Sequence, residues 1–413
     1  MVDNTRALEF EINPVRLKYL LDLYRLSKAD FLNLLNRDKK RKQLSSEIVD
    51  LLLKGGKVKV PILNRIDQVF NEGVTWYISQ RPLPDRKKSS IFFRKESFNS
   101  GLNLESRKLI NDYEELKFEI QTLCNYINFD SKKELADYKL SDDPKKAAKD
   151  LREKFDAAEK KLIERKIITK AANDKDRDYL RNLIRCMEEF KIFVFEFTEA
   201  PRKKEKTVFN GFFMAPNIIV IKRQQKYFRR EIFTLVHELA HYLLNFEEVD
   251  ENIEENVEGF SKVELWCNTF TYYFLLGFQG DDFEKLEKAS AENQFHREQI
   301  QRIHDKTRLS HSALYTRLWL EKKLSRGDYT RILSDIKESI RKKELEEKLA
   351  GEEKKRMLEE QGKEVIGFLP KPIESNLFKE LVKINYFEGN INENRLREYL
   401  KIKPDKPLEE AIY

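Results

Sequence analysis

Two histidines stand four residues apart at His237 and His241, with a glutamate directly after the first, in the run His237-Glu238-Leu239-Ala240-His241. On a helix, positions i and i+4 share a face, so both imidazoles can point at one ion. Two imidazoles and one carboxylate leave a coordination position open, which is the arrangement of a catalytic rather than a structural zinc site. A cation held there acidifies bound water and polarises a carbonyl, and Glu238 is placed to take the water proton and pass it to a leaving amine. The chemistry expected is zinc-dependent hydrolysis of a peptide bond, with His237 and His241 as ligands and Glu238 as general base. Only five histidines occur in 413 residues, and two of them fall at this spacing. The flanks Phe233, Leu235, Val236, Leu239, Ala240, Leu243 and Leu244 predict a helix buried on most sides. Polar groups on such a helix are costly unless something satisfies them.

A third ligand is required. No His-x-x-Gly-x-x-His continuation follows His241, which excludes that class of three-histidine site. A carboxylate further along is the alternative. Glu264 heads an apolar stretch with Trp266, Cys267, Asn268, Phe270, Tyr272 and Tyr273. Glu247, Glu248, Glu254, Glu255 and Glu258 form an acidic stretch that competes with it. Spacing does not choose between them.

The elements that must hold these residues follow from composition and periodicity. With 13 Gly, 11 Pro and 37% charged residues, the chain reads as mainly helical with a large solvated surface. Residues 1–90 suggest short helices joined by short loops, opened by Asn13-Pro14 and with Ser27 and Asp30 as a capping pair. Residues 91–190 read as a helical connector. Residues 191–290 change character: Lys191–Phe197, Val208–Met214 and Asn217–Ile221 are strand candidates, followed by apolar helices over Tyr227–Phe246 and Val263–Leu276. Residues 291–333 are a helical extension, 334–365 a charged helix or linker, and 366–413 a small helical region. The fold class expected is mainly α, with a small α+β metallopeptidase core of short sheet plus metal helix.

The formal charge is +7. Residues 1–90 hold 18 Lys and Arg against 11 Asp and Glu, so the excess is N-terminal, densest over Arg37–Lys42. Such a patch suits a polyanion or an acidic partner, although a solvated loop is the plainer reading. Three cysteines without a paired motif fit a reducing compartment. No basic leader precedes an apolar run at Met1–Phe10, and no run approaches 18 apolar residues, so a cytoplasmic chain without membrane contact is expected. His296, His304 and His311 read as surface histidines. Tyr242 and Asn268 read as packing or support near the site, and Cys267 as a small buried apolar residue.

Several segments resemble the ImmA/IrrE metallopeptidases that carry an N-terminal helix-turn-helix-like part. They are Ile12–Leu17, Arg81–Pro84, Ile91–Arg94, Phe209–Phe212, Ile218–Ile221, Phe233–His241 and Glu264–Phe270. The resemblance implies a zincin-like core, Zn²⁺ as cofactor, and Glu264 as third ligand. It also implies selective cleavage of a partner protein, a helix-turn-helix repressor, to switch transcription. The chain departs from that pattern at Lys222 and at Leu275–Phe278, and its segment Asn36–Val60 is longer and richer in lysine. No recognition helix with base-reading residues is visible there, which leaves DNA contact or docking of a similar partner domain as uses for the N-terminal part. The competing function is a DNA- or partner-binding regulator whose metallopeptidase-like domain senses without cleaving. Glu238 speaks for the enzyme, because a ligand-only sensor has no need of a general base.

Overall fold

The computed structural model describes residues 8–83, 102–172, 175–199, 205–223, 227–247, 261–290, 294–361 and 372–409. Helices dominate, with two small sheets. The chain divides into two compact units. Of the segments that carry the resemblance, Pro84 and Ile91–Arg94 lie outside the described residues.

The first unit is built from α1 (Pro14–Leu23), α2 (Lys28–Leu35), α3 (Ser46–Leu53), α4 (Val60–Phe70) and α5 (Val74–Ile78). A two-stranded ribbon joins β1 (Glu9–Glu11) to β2 (Lys57–Lys59). Its helix starts are written in the sequence. Asn13 caps α1 by accepting the Val15 N–H, with Pro14 in the first turn. Ser27 and Asp30 cap α2 reciprocally, as a capping box. Leu20, Phe31, Leu52, Leu63 and Ile66 make the apolar centre. The basic run is partly engaged: Arg41 pairs with Asp38, and Arg65 donates to the Lys42 carbonyl. Helix α3 carries Glu47 and Asp50 and no Lys or Arg.

The second unit holds most of the chain. Its helices include the larger part of α6 (Leu104–Tyr126), then α7 (Pro144–Glu164), α8 (Asp176–Glu189), α9 (Phe228–Leu244), α10 (Lys262–Leu276) and α11 (Gly280–Glu284). After these come α12 (Arg297–Lys306), α13 (His311–Leu320), α14 (Arg326–Glu360), α15 (Asn376–Phe387) and α16 (Glu393–Tyr399). Of the charged segment predicted over 334–365, residues 334–360 are the outer part of α14, one helix that starts on the Ser325 cap, and 362–365 lie outside the described residues. Its side chains from Lys337 to Gln361 are almost all exposed. Lys-to-Glu pairs one turn apart line it.

Three strands form the site's platform: β3 (Phe193–Phe197), β4 (Gly211–Met214) and β5 (Ile218–Lys222), in the order β3-β5-β4. β5 lies in the middle, parallel to β3 and antiparallel to β4. The strands read as nearly unbroken Phe, Val and Ile because both faces are covered. One face, with Val194, Phe213, Ile219 and Ile221, joins the core formed with α9 residues Ile232, Leu235 and Leu239. On the other, Tyr113 of α6 meets Phe195 and Phe212, and Phe378 of α15 meets Phe195.

One polar knot interrupts this interior. Glu196 of β3 and Glu231 of α9 have fully buried side chains, and Arg177 of α8 bridges both, at 2.6 and 3.0 Å. The guanidinium thereby fixes the first turn of α9 to the sheet. Replacing Arg177 with Met takes the bridging cation from two buried carboxylates and leaves Glu196 the more distant Arg223, at 3.6 Å, and the Ile373 N–H. We expect a loss of about 3–5 kcal/mol in urea unfolding, against less than about 1 kcal/mol for the exposed pair partner Arg181→Met.

Candidate metal centre

Helix α9 is buried from Glu231 to Leu243 apart from the half-buried Phe233. It ends at Asn245 in the left-handed conformation. Lys133 brings its ammonium to the Tyr242 carbonyl, a cation where the helix dipole is negative. His237 and His241 point the same way from this helix, with their Nε2 atoms 3.1 Å apart.

Glu264 completes the group. Ser261 caps α10 by accepting the Glu264 N–H. In an ordinary capping box the glutamate at this position folds back onto the cap. Here its carboxylate turns to the imidazoles instead: Oε2 lies 3.1 Å from His237 Nε2 and Oε1 3.1 Å from His241 Nε2. All three residues are buried. Burial alone raises the Glu264 carboxyl, but the two imidazoles outweigh it and hold the group well below the usual carboxylate range.

This donor set fits a small divalent cation. Ligands about 2.0–2.1 Å from a tetrahedral ion lie roughly 3.3 Å from each other; the two imidazole nitrogens are 3.1 Å apart, and each lies 3.1 Å from one of the two Glu264 oxygens. Both Glu264 oxygens lack a hydrogen bond that satisfies direction as well as distance. Three electron-rich groups converging in a dry interior leave that need to a shared ion. Among the described residues this is the one group of three such side chains close enough to hold a metal. The chemistry alone does not distinguish zinc from other divalent ions that accept nitrogen and oxygen donors.

The competing acid Glu247 is engaged elsewhere: its carboxylate accepts the Ala215 N–H at 2.7 Å. Glu248, Glu254, Glu255 and Glu258 lie outside the described residues. Glu238 is buried on α9 against the edge strand. A Cβ at Gly211 would meet Thr234 Cγ2 at 2.7 Å, the Val220 carbonyl at 3.0 Å and Glu238 Cγ at 3.2 Å. The bare backbone at Gly211 thus makes the space in which Glu238 sits. Sequence reasoning assigned Gly211 no such role; its signal was a glycine inside a strand run, which marks a close approach.

Tyr242 packs edge-on against Phe213 with Lys133 over its ring, and burial pushes its phenol up to about 12. It is a packing residue at the end of the metal helix. Asn268 is buried one turn along from Glu264, and Cys267 is fully buried and forms no disulfide. The surface reading needs correction for His296, which is buried. His304 and His311 are half-buried and stack with ring centres 3.8 Å apart. Aromatic stacking between α12 and α13 overrode the polar look of that region. No protein family, curated protein or solved structure matches this chain.

Two expectations follow. Gly211→Ala should keep His237, His241 and Glu264 in place yet cost about 1–3 kcal/mol through overpacking, seen as a lower melting temperature and a displaced Glu238 in a crystal structure. For the stacked pair, burial and the neighbouring His304 and Arg229 depress His311 to about 4. An unfolded imidazole protonates near ~6.5, so the unfolded state binds more protons between those values and stability falls as pH drops through that window. His311→Gln should flatten that acid limb in melts between pH 7 and 4.

Proposed function

We propose that this chain is a zinc-dependent endopeptidase with a zincin-like core, akin to the ImmA/IrrE metallopeptidases, acting in the reducing cytoplasm on a regulatory partner protein such as a helix-turn-helix repressor. The observation that carries the reading is the convergence of His237, His241 and Glu264 at 3.1 Å beside a buried Glu238 on the same helix.

In this reading His237, His241 and Glu264 hold Zn²⁺, which supplies the Lewis acidity that activates water and polarises the scissile carbonyl. Glu238 follows His237 directly on α9 and is kept from bulk water, an environment suited to a general base. It accepts the proton of the attacking water and donates it to the departing amine. The apolar walls formed by α9 and α10 keep other water away and strengthen each charge interaction inside.

The support for selectivity comes from the first unit. Helix α3, which follows α2 where a recognition helix would stand, carries Glu47 and Asp50 and lacks basic residues. Phosphates repel such a surface. That favours docking of a protein partner over DNA contact and sets the non-cleaving DNA regulator second.

The test compares cells that express wild type or Glu238→Gln and reads new protein N-termini by mass spectrometry. We expect Glu238→Gln to retain its metal and lose cleavage by about 10²–10⁴-fold, with a neo-N-terminus in a regulator seen with wild type alone. Identical N-termini in both cells would contradict the peptidase reading.

A further inference from the structure

A cleft in the second unit takes no part in the metal chemistry. It lies between the last turns of α6 and the join of α15 to α16, with a volume of about 400 Å³. None of its lining residues stands on α9 or α10. Its walls are pinned together from below. Asn385 of α15 is fully buried and donates to the Leu123 and Leu381 carbonyls, at 3.1 and 2.9 Å. Its Oδ1 accepts the Asn390 amide at 3.3 Å. Leu123 and Asn390 both line the cleft. A satisfied buried amide of this kind holds one arrangement, so the space belongs to the fold.

Three rings line it: Phe118 and Tyr126 from α6, and Tyr399 from α16. Phe118 is 40% exposed and Tyr126 53%. Single exposed aromatics are ordinary on a protein surface, whereas several around one hollow mark a place of contact. Glu119 lines the same space. Arg395 is the one cation among the described lining residues, and it is spent on Glu398 at 2.8 Å, with its guanidinium 5.9 Å from the centre of the Tyr399 ring. No basic side chain among the described residues pairs with Glu119. Burial raises the Glu119 carboxyl, and the attraction of Arg395 offsets only part of that.

Ring faces carry negative quadrupole charge, and a carboxylate without its own cation adds to it, so the cleft suits a positive group. An anionic ligand meets like charge there. Length decides what carries the positive group. Phe118 and Tyr126 are eight residues apart on one helix, about 12 Å. That matches three or four residues of extended chain, whereas a lone ammonium fills one end only.

We propose that the cleft between α6 and α16 is a docking site for an extended segment of a partner protein, with a lysine or arginine of that segment seated among Phe118, Tyr126 and Tyr399 against Glu119. The site is independent of the metal centre and of the peptidase reading.

The test uses the full chain and saturation-transfer difference NMR, which detects weak binding. The probes are seven-residue peptides, blocked at both ends, with arginine, lysine or glutamine at the centre of an alanine and serine background. We expect the arginine or lysine peptide to bind wild type at least about fivefold more tightly than the glutamine peptide. Glu119→Gln and Tyr126→Ala should each bring the peptides within about twofold of one another. Glu346→Gln removes a carboxylate from the exposed part of α14 and should keep the full preference. Circular dichroism checks each fold, and either α6 variant decides without the other. Equal binding of the basic and glutamine peptides to wild type, a preference that survives the α6 variants, or one that Glu346→Gln also abolishes would each overturn the site. Binding of free agmatine with no preference among the peptides would overturn a protein segment as the occupant.

Discussion

Two imidazoles and a carboxylate meet in the interior of the second unit with 3.1 Å between their donor atoms, and the surrounding structure answers the cost of putting them there. Desolvating such groups without compensation is unfavourable by several kcal/mol for each ionised member. The helices that carry them are therefore anchored by other means. Apolar residues bury α9 on nearly every side, Arg177 ties its start to the sheet, and Lys133 caps its end. Helix α10 contributes Glu264 from its first turn, where the Ser261 cap holds the backbone and frees the carboxylate to turn inward. The pocket for Glu238 comes from the missing side chain at Gly211.

Much of this was legible in the residues. The i, i+4 histidines lie on one helix face because helix geometry leaves no alternative once the segment is helical, and its apolar flanks made it so. The strand runs over Phe193–Phe197 and Ile218–Lys222 and the caps at Asn13 and Ser27 stand where residue chemistry placed them, within a residue or two at the ends. The small mixed sheet between helices agrees with the expected class, mainly helical with a little sheet.

Other features depend on tertiary contacts and were beyond periodicity. Ser261-x-x-Glu264 has the spacing of a capping box, so local chemistry alone would spend the Glu264 carboxylate on the cap rather than on the imidazoles. Spacing alone left Glu247 and its acidic neighbours together level with Glu264, and nothing in it told that Glu247 accepts the Ala215 N–H. The stack of His304 on His311 joins two helices whose sequences give no sign of each other. Likewise, Gly211 became informative only when the strand and α9 were seen side by side.

The central question is whether His237, His241 and Glu264 hold an ion together. Elemental analysis of purified protein, for wild type beside Glu264→Gln and His241→Ala, tests it directly. About one zinc per wild-type chain, lost from both variants while their circular dichroism stays native, is the result predicted from three convergent ligands. A wild-type chain that takes up no divalent metal even when zinc is supplied, or a Glu264→Gln variant that binds zinc as tightly as wild type, would contradict it.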